Sequence, residues 1–263
     1  MLQVLIGLSL YNRGLFNAGL NVTLQKMYGM VKKWHWYVGF FVLLFGAYFL
    51  YFFTQDGFSQ SSLPVISDVQ PFSFVNQNGQ PITNREVEGK VYVTEYFFTT
   101  CKGICPRMNA NMRRVYDDFK NDSGFLIISH TCMPETDSVP VLKKYEEKIL
   151  NGKLNKTADG TYRIEYDPSM DKQPVSNKSW DFVTGDKMAL YKMARQSYMI
   201  DNNKPDSTVN IADQFLHTQF FALVDKQGRV RNIYDGLKED EIQKLLKNIK
   251  ELLKEKYHTR SLN

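Results

Sequence analysis

VYVTEYFFTTCKGICPRMNANMRRVYDDFK, Val91 to Lys120, is the stretch on which the fold turns. Val91 to Phe98 is rich in β-branched and aromatic side chains, the composition of a strand, and Asn109 to Lys120 carries apolar residues at helical spacing. Between them lie two thiols, Cys101 and Cys105, followed by Pro106. Proline fits the first helical position, where its missing N–H costs nothing, and it drives the residue before it out of helical dihedrals. The spacing therefore predicts strand, thiol loop and helix in that order, with Cys105 at or near the N-cap. Free N–H groups and the helix dipole favour negative charge there, so both thiols are expected to ionise more readily than an unperturbed cysteine of pKa about 8.5. Thiolates ligate soft metals and attack disulfides. A structural disulfide is the plain alternative, but a staple across so short a loop would constrain the unfolded chain little.

Downstream, Phe125 to Ser129 (FLIIS) is an apolar run short enough for a buried strand, and Thr136 to Leu150 has helical spacing with a charged face. Right-handed crossover would make the two strands parallel neighbours whose carboxyl ends share one edge. Upstream, Phe72 to Val75 and Pro81 to Thr83 flank Asn76-Gln77-Asn78-Gly79, where Asn-Gly supplies the positive φ angles of a tight hairpin. Asn151 to Asn177 is polar and reads as an inserted surface excursion with a possible strand at Tyr162 to Tyr166. Asp186 to Tyr198 is expected to be helical, with methionines that pack in a core. Gln219 to Val224 and Arg229 to Tyr234 surround the turn Asp225-Lys226-Gln227-Gly228, a second hairpin. Lys238 to Tyr257 spaces Ile242, Leu245, Leu246, Ile249, Leu252 and Leu253 by threes and fours, an amphipathic packing helix. The expected class is α/β, a central mixed sheet flanked by helices.

Before this domain, Trp34 to Phe53 (WHWYVGFFVLLFGAYFLYFF) has no charged side chain and, at about 1.5 Å per residue, spans the roughly 30 Å hydrocarbon layer. It reads as a single membrane anchor with interfacial Trp34, Trp36, Tyr48 and Tyr51. Arg13, Lys26, Lys32 and Lys33 precede it without an acid, and no Lys or Arg follows until Arg85. The expectation is a cytoplasmic N-terminus in the inner membrane and a globular domain on the periplasmic side, where thiols oxidise and metals are handled. The organisation read from the chain is a tail at 1–33, the anchor at 34–53, a polar linker at 54–63, a domain at 64–257 with its insertion at about 151–177, and a tail at 258–263. Translation from an upstream start, with Met27 or Met30 as the alternative, or a cleaved organelle presequence would also account for the first thirty residues. A net charge of +5 on 263 residues implies no nucleic-acid surface.

Of four histidines, His35 lies in the anchor and His258 in the terminal tail. His217 directly precedes the QFFALV strand, and with two soft thiolates it completes a set suited to one copper ion in either oxidation state. His130 and Cys132 follow the second parallel strand and so share an edge with Cys101. Cys132 reads as a partly buried unpaired thiol, with a resolving thiol or extra ligand as the sharper option. Zinc ranks below copper, because structural zinc wants four ligands.

Taken together, Asn78-Gly79, YFFTTCKGICP, SHTCMPETDSVPVLKKY, Trp180 with Phe182 to Gly185 (WDFVTG) and His217 before FFALVDKQGRV resemble the SCO/SenC family of membrane-tethered, thioredoxin-like copper proteins over about Pro64 to Lys256. The resemblance implies a thioredoxin-like fold, copper held by Cys101, Cys105 and His217, and a Cys101–Cys105 pair that cycles between dithiol and disulfide. It implies copper delivery to the dinuclear copper site of cytochrome c oxidase, with the oxidase copper-site subunit and copper donor proteins as partners. Thiol–disulfide reduction of a partner's copper-ligand cysteines is the alternative, and turnover as an enzyme is not otherwise implied. Peroxidase chemistry would need Arg107 beside a reactive cysteine. The chain departs from the family pattern at Leu216, with Asp213 earlier, where an acid usually precedes the histidine, at Cys132-Met133-Pro134, and in its longer insertion.

Overall fold

Seven consecutive buried residues, Val91–Phe97, form the strand around which the domain is built. The computed structural model describes residues 34–53, 62–167, 175–201 and 218–257. In chain order the strands are β1 (Ser67–Asp68), β2 (Ser73–Asn76), β3 (Pro81–Thr83), β4 (Val91–Phe97), β5 (Phe125–Thr131), β6 (Lys153–Lys156), β7 (Tyr162–Glu165), β8 (Trp180–Thr184), β9 (Phe220–Val224) and β10 (Arg229–Asp235). The helices are α1 (Trp34–Phe53), α2 (Asn84–Val87), α3 (Cys105–Phe119), α4 (Val139–Asn151), α5 (Lys187–Lys192) and α6 (Glu239–Lys254). A π-helical turn, Met193–Ser197, continues α5.

Eight strands make one mixed sheet in the order β1-β10-β9-β4-β5-β8-β2-β3. β4 and β5 are parallel in the expected manner, in register from Val91 opposite Phe125 to Phe97 opposite Thr131. β8 extends the parallel set with Trp180 opposite Ile127. Because side chains alternate across a strand, β4 sends Val91, Val93, Glu95 and Phe97 to one face and Tyr92, Thr94 and Tyr96 to the other. The first face packs against α3 and α4 through Met108, Met112 and Leu142, against α6 through Ile242, Leu245 and Ile249, and alongside the β8 rings Trp180 and Phe182. The second packs against α5 and the π turn through Leu190, Tyr191, Ala194 and Tyr198. At about 25 cal/mol per Å² of apolar surface, each buried aromatic of this size contributes several kcal/mol.

Several boundaries differ from the sequence expectation. In the β2–β3 hairpin only Gly79 has positive φ, at 74°, while Asn78 does not, and Gly79 N–H donates to Asn76 O at 2.9 Å. The 151–177 excursion contains a second, two-stranded antiparallel sheet of β6 and β7, of which only the second strand was expected. Its Tyr162 ring lies 4.0 Å from the Arg114 guanidinium, which fastens the hairpin to α3. Asp186 to Tyr198 is not one helix. Asp186 caps α5 by accepting from Ala189 N–H at 2.8 Å, and the backbone then widens into the π turn.

α1 is a separate unit, with mean hydropathy 1.8 and exposed side chains, and among the described residues it is the one helix long and apolar enough to cross a membrane.

Candidate metal and thiol site

Parallel pairing puts the carboxyl ends of β4 and β5 side by side, so the loops that follow them meet at one sheet edge. Cys132 N–H donates to Phe97 O at 2.7 Å, extending the pairing one step past both strands. Asp137, wholly buried, joins the two loops: its Oδ1 accepts from Thr99 Oγ1 at 2.6 Å, and its Oδ2 from Thr99 N–H at 3.1 Å and Thr131 Oγ1 at 2.5 Å. The entry to the thiol loop is thereby fixed. Replacing Asp137 with alanine leaves three donors unmatched and should cost about 3 kcal/mol, with alkylation of Cys101 by iodoacetamide accelerating as the loop loosens. An unchanged melting temperature and alkylation rate would contradict this.

The loop delivers Cys101 half-buried and Cys105 buried. α3 begins at Cys105, with Ile104 as an N-cap that offers no capping side chain and Pro106 in the first turn, one residue from the expected arrangement. The two thiols lie near enough to influence each other electrostatically, and all three cysteines are free. Easier ionisation at the helix start does not hold for Cys105: burial, and then the neighbouring Cys101, push its thiol well up, outweighing a hydrogen bond from the Phe98 backbone. The helix dipole is worth about 0.3–1 kcal/mol, whereas burying an ion in an apolar site costs more. Only a bound cation or a reaction partner that neutralises charge restores the thiolate.

Alternation along β5 separates the remaining candidates from this pair. His130 and Cys132 share the edge with Cys101 but sit on the opposite face, in the core formed with α5, whereas Cys105 belongs to the α3 face. His130 stacks on Tyr96 with ring centroids 4.9 Å apart, and its Nδ1 is 3.0 Å from Thr94 Oγ1. Burial lowers its pKa to about 3. It is a core histidine. Cys132 is likewise buried, its carbonyl accepting from Tyr191 Oη at 2.9 Å, and burial raises its thiol. Because the folded His130 pKa lies below the unfolded value of about 6.5, its neutral form contributes stability that is present above pH 6.5 and lost as pH falls towards 3. The slope should approach about 1.4 kcal/mol per pH unit within that window. Urea titrations of wild type and His130→Gln at pH 6.5 and 5 test it, the variant losing less stability between the two.

His217 lies outside the described residues, and so do Leu216 and Asp213. Among the described residues no three His, Cys, Asp or Glu side chains gather as a metal cluster. Arg107 is exposed on the first turn of α3.

Two features of the site were not anticipated. Asp137 carries no motif of its own, although Thr136-Asp137-Ser138 before a helix marks a capping region. Glu95, in the middle of an apolar strand, is wholly buried beneath the thiols' helix; its Oε1 accepts from Ser129 Oγ at 2.8 Å, and Ser129 Oγ accepts from Trp180 Nε1 at 2.9 Å. Burial pushes its carboxyl up to about 8, the Ser129 hydrogen bond opposing. The sequence signal was a lone acid at a position whose neighbours on the same face are apolar.

The SCO1/SenC family model matches residues 64–163 and 164–254. The SCO1 protein homolog of Bacillus subtilis (strain 168) is 28% identical over 201 residues, covering 76% of this chain and 90% of its own length. The solved structure of BsSco, described as a Sco-family cytochrome c oxidase assembly protein with a disulfide switch, superposes with a TM-score of 0.55 at 26% identity, covering 75% of this chain and 100% of its own. A protein of Stutzerimonas stutzeri that carries a copper-binding designation is 27% identical over 85 residues, 32% of this chain and 42% of its own. With a family match across most of its length and a thioredoxin-like sheet that ends in the thiol loop, the chain belongs to the SCO1/SenC family.

Proposed function

We propose that this chain holds one copper ion between Cys101, Cys105 and His217 and passes it to the dinuclear copper site of a cytochrome c oxidase subunit during assembly. The observation that carries the reading is a neighbouring pair of free thiols, one half-exposed, in a loop at the edge of the sheet. Soft sulfur donors with an imidazole suit copper, and Cys132 on the other face is poorly placed to complete a closed four-ligand zinc site. Exposed Lys102 and Gly103 leave Cys101 approachable, so an incoming ligand can replace the chain's own donors in turn. The assembly role described for BsSco supports the oxidase as recipient. α1 supports a single membrane anchor, and the basic, acid-free segment before it supports placing the domain on the periplasmic side. The test mixes the full chain in detergent, loaded with Cu(I), with the copper-free copper-site domain of the oxidase subunit. Copper should move to the recipient; copper that stays on this chain while an unrelated Cu(I) carrier loads the recipient would refute delivery.

A second reading is favoured by the same pair of free thiols and by the disulfide switch described for BsSco. Cys101 and Cys105 would exchange with a partner disulfide, reducing the cysteines that later bind copper.

A further inference from the structure

Half-buried Phe98, Cys101 and Ile104 lie against the core of the α3 face, at the sheet edge where β4 and β5 end. Exposed Thr100, Lys102, Gly103, Pro106 and Arg107 surround them in the chain. An apolar centre within a polar rim is the anatomy of a protein–protein contact. The charge of this rim is unbalanced. Lys102 follows Cys101, Arg107 follows Cys105 by two residues, and neither side chain makes an ion pair or hydrogen bond among the described residues. The acids that share the edge are engaged elsewhere. Asp137 commits both oxygens to Thr99 and Thr131, Glu135 pairs with Lys187 at 2.9 Å, and Asp186 caps α5. β10 is antiparallel to β9 and β9 to β4, so β10 ends and α6 begins at this same edge. There Asp235 accepts from Gln219 Nε2 at 2.7 Å and lies 3.4 Å from Lys238 Nζ, Glu239 holds Arg114 at 2.6 Å, and Asp240 and Glu241 both face Lys244. What is left over at the thiol loop is positive.

We propose that this face docks an acidic protein surface, that of the copper recipient around its own copper ligands, with Lys102 and Arg107 as the steering charges, an inference that rests on the copper-delivery reading above. Free cations on long side chains raise the rate of encounter and fix its orientation over about a Debye length, ~8 Å in physiological salt. They also decide the sign of the loop. Two thiolates around Cu(I) would carry one net negative charge and repel an acidic recipient, and the two cations reverse it. The loaded loop and the empty one therefore attract the same surface. Once docked, Phe98 and Ile104 exclude water beside Cys101, the half-exposed sulfur that an incoming ligand reaches.

The test measures binding of the copper-free, reduced full chain, in an uncharged detergent, to the copper-site domain of the oxidase subunit at about 20 and about 500 mM salt. Wild-type affinity should fall about tenfold between the two. Lys102→Glu and Arg107→Glu should each weaken binding about fivefold at the lower salt and little at the higher. Lys153→Glu makes the same change in net charge, but exposed Lys153 lies beyond the far end of α4, a 13-residue helix of about 20 Å, and that variant should bind as wild type does. Absence of binding, binding indifferent to salt, or a Lys153→Glu chain weakened as much as Arg107→Glu would overturn the proposal. Binding that follows the expected pattern while the Cu(I)-loaded chain keeps its copper would uphold the docking face and overturn the delivery reading instead.

Discussion

Cys105→Ala should lower the affinity of the chain for Cu(I) by at least about a hundredfold, with Cys101→Ala close behind. Removing only an outer partner of a metal ligand costs about 10–100-fold, so losing one of two sulfur donors costs more. Cys105 is the harder loss to repair. It is buried at the first residue of α3, and the nearest other thiol, Cys132, faces the opposite core across the sheet. Cys132→Ser should accordingly bind copper as wild type does. Competition with a chromophoric Cu(I) chelator measures all three; near wild-type affinity in Cys105→Ala, or a large loss in Cys132→Ser, would mean that the ion is held elsewhere.

The sequence read the thiol edge well because its signals are local. A β-branched and aromatic run, a proline after the second cysteine and a helical period are each set by neighbouring residues, and they located β4, the loop and α3 to within a residue or so. Parallel pairing of β4 with β5 followed from chain handedness. What escaped depends on contacts distant in the chain. WDFVT, to which no element was assigned from the sequence, is a strand beside β5 because Trp180 and Phe182 pack with the core residues of α3 and α4. Cys105 ionises less readily, not more, because burial is a property of the assembled core. His130 and Cys132 were placed on the right edge, but their face was fixed by the alternation of β5, which a motif does not reveal. The copper reading came from the chemistry of two thiols and an imidazole as well as from family resemblance, the oxidase reading from resemblance alone, and for these residues both are proposals.

Arg231→Ala should destabilise the domain by about 3–5 kcal/mol, the cost of leaving buried acids without their cation. Arg231 is buried beside the irregular step in β10 between Val230 and Asn232. Its Nη1 donates to Asp225 Oδ2 at 3.0 Å and to Glu255 Oε2 at 3.2 Å, while Nη2 donates to Leu63 O at 2.6 Å. One side chain thus ties the first strand's approach, the β9–β10 turn and the end of α6 together, at the end of β9 and β10 opposite the thiols. Arg229 also pairs with Asp225, so that acid keeps a cation when Arg231 is lost. For a domain of this size the melting temperature should fall by about 6–20 °C. The double variant Arg231→Met with Glu255→Gln should recover part of that loss, because the stranded charge goes with its partner. A single variant within about 1 kcal/mol of wild type would show that solvent reaches these groups.

The most direct test of the central claim is X-ray absorption at the copper edge of the Cu(I)-loaded full chain. Two sulfur scatterers and one imidazole nitrogen are predicted, with the imidazole signature absent in His217→Ala and one sulfur absent in Cys101→Ala. A first shell made only of light oxygen or nitrogen atoms, or a spectrum indifferent to both substitutions, would contradict the account.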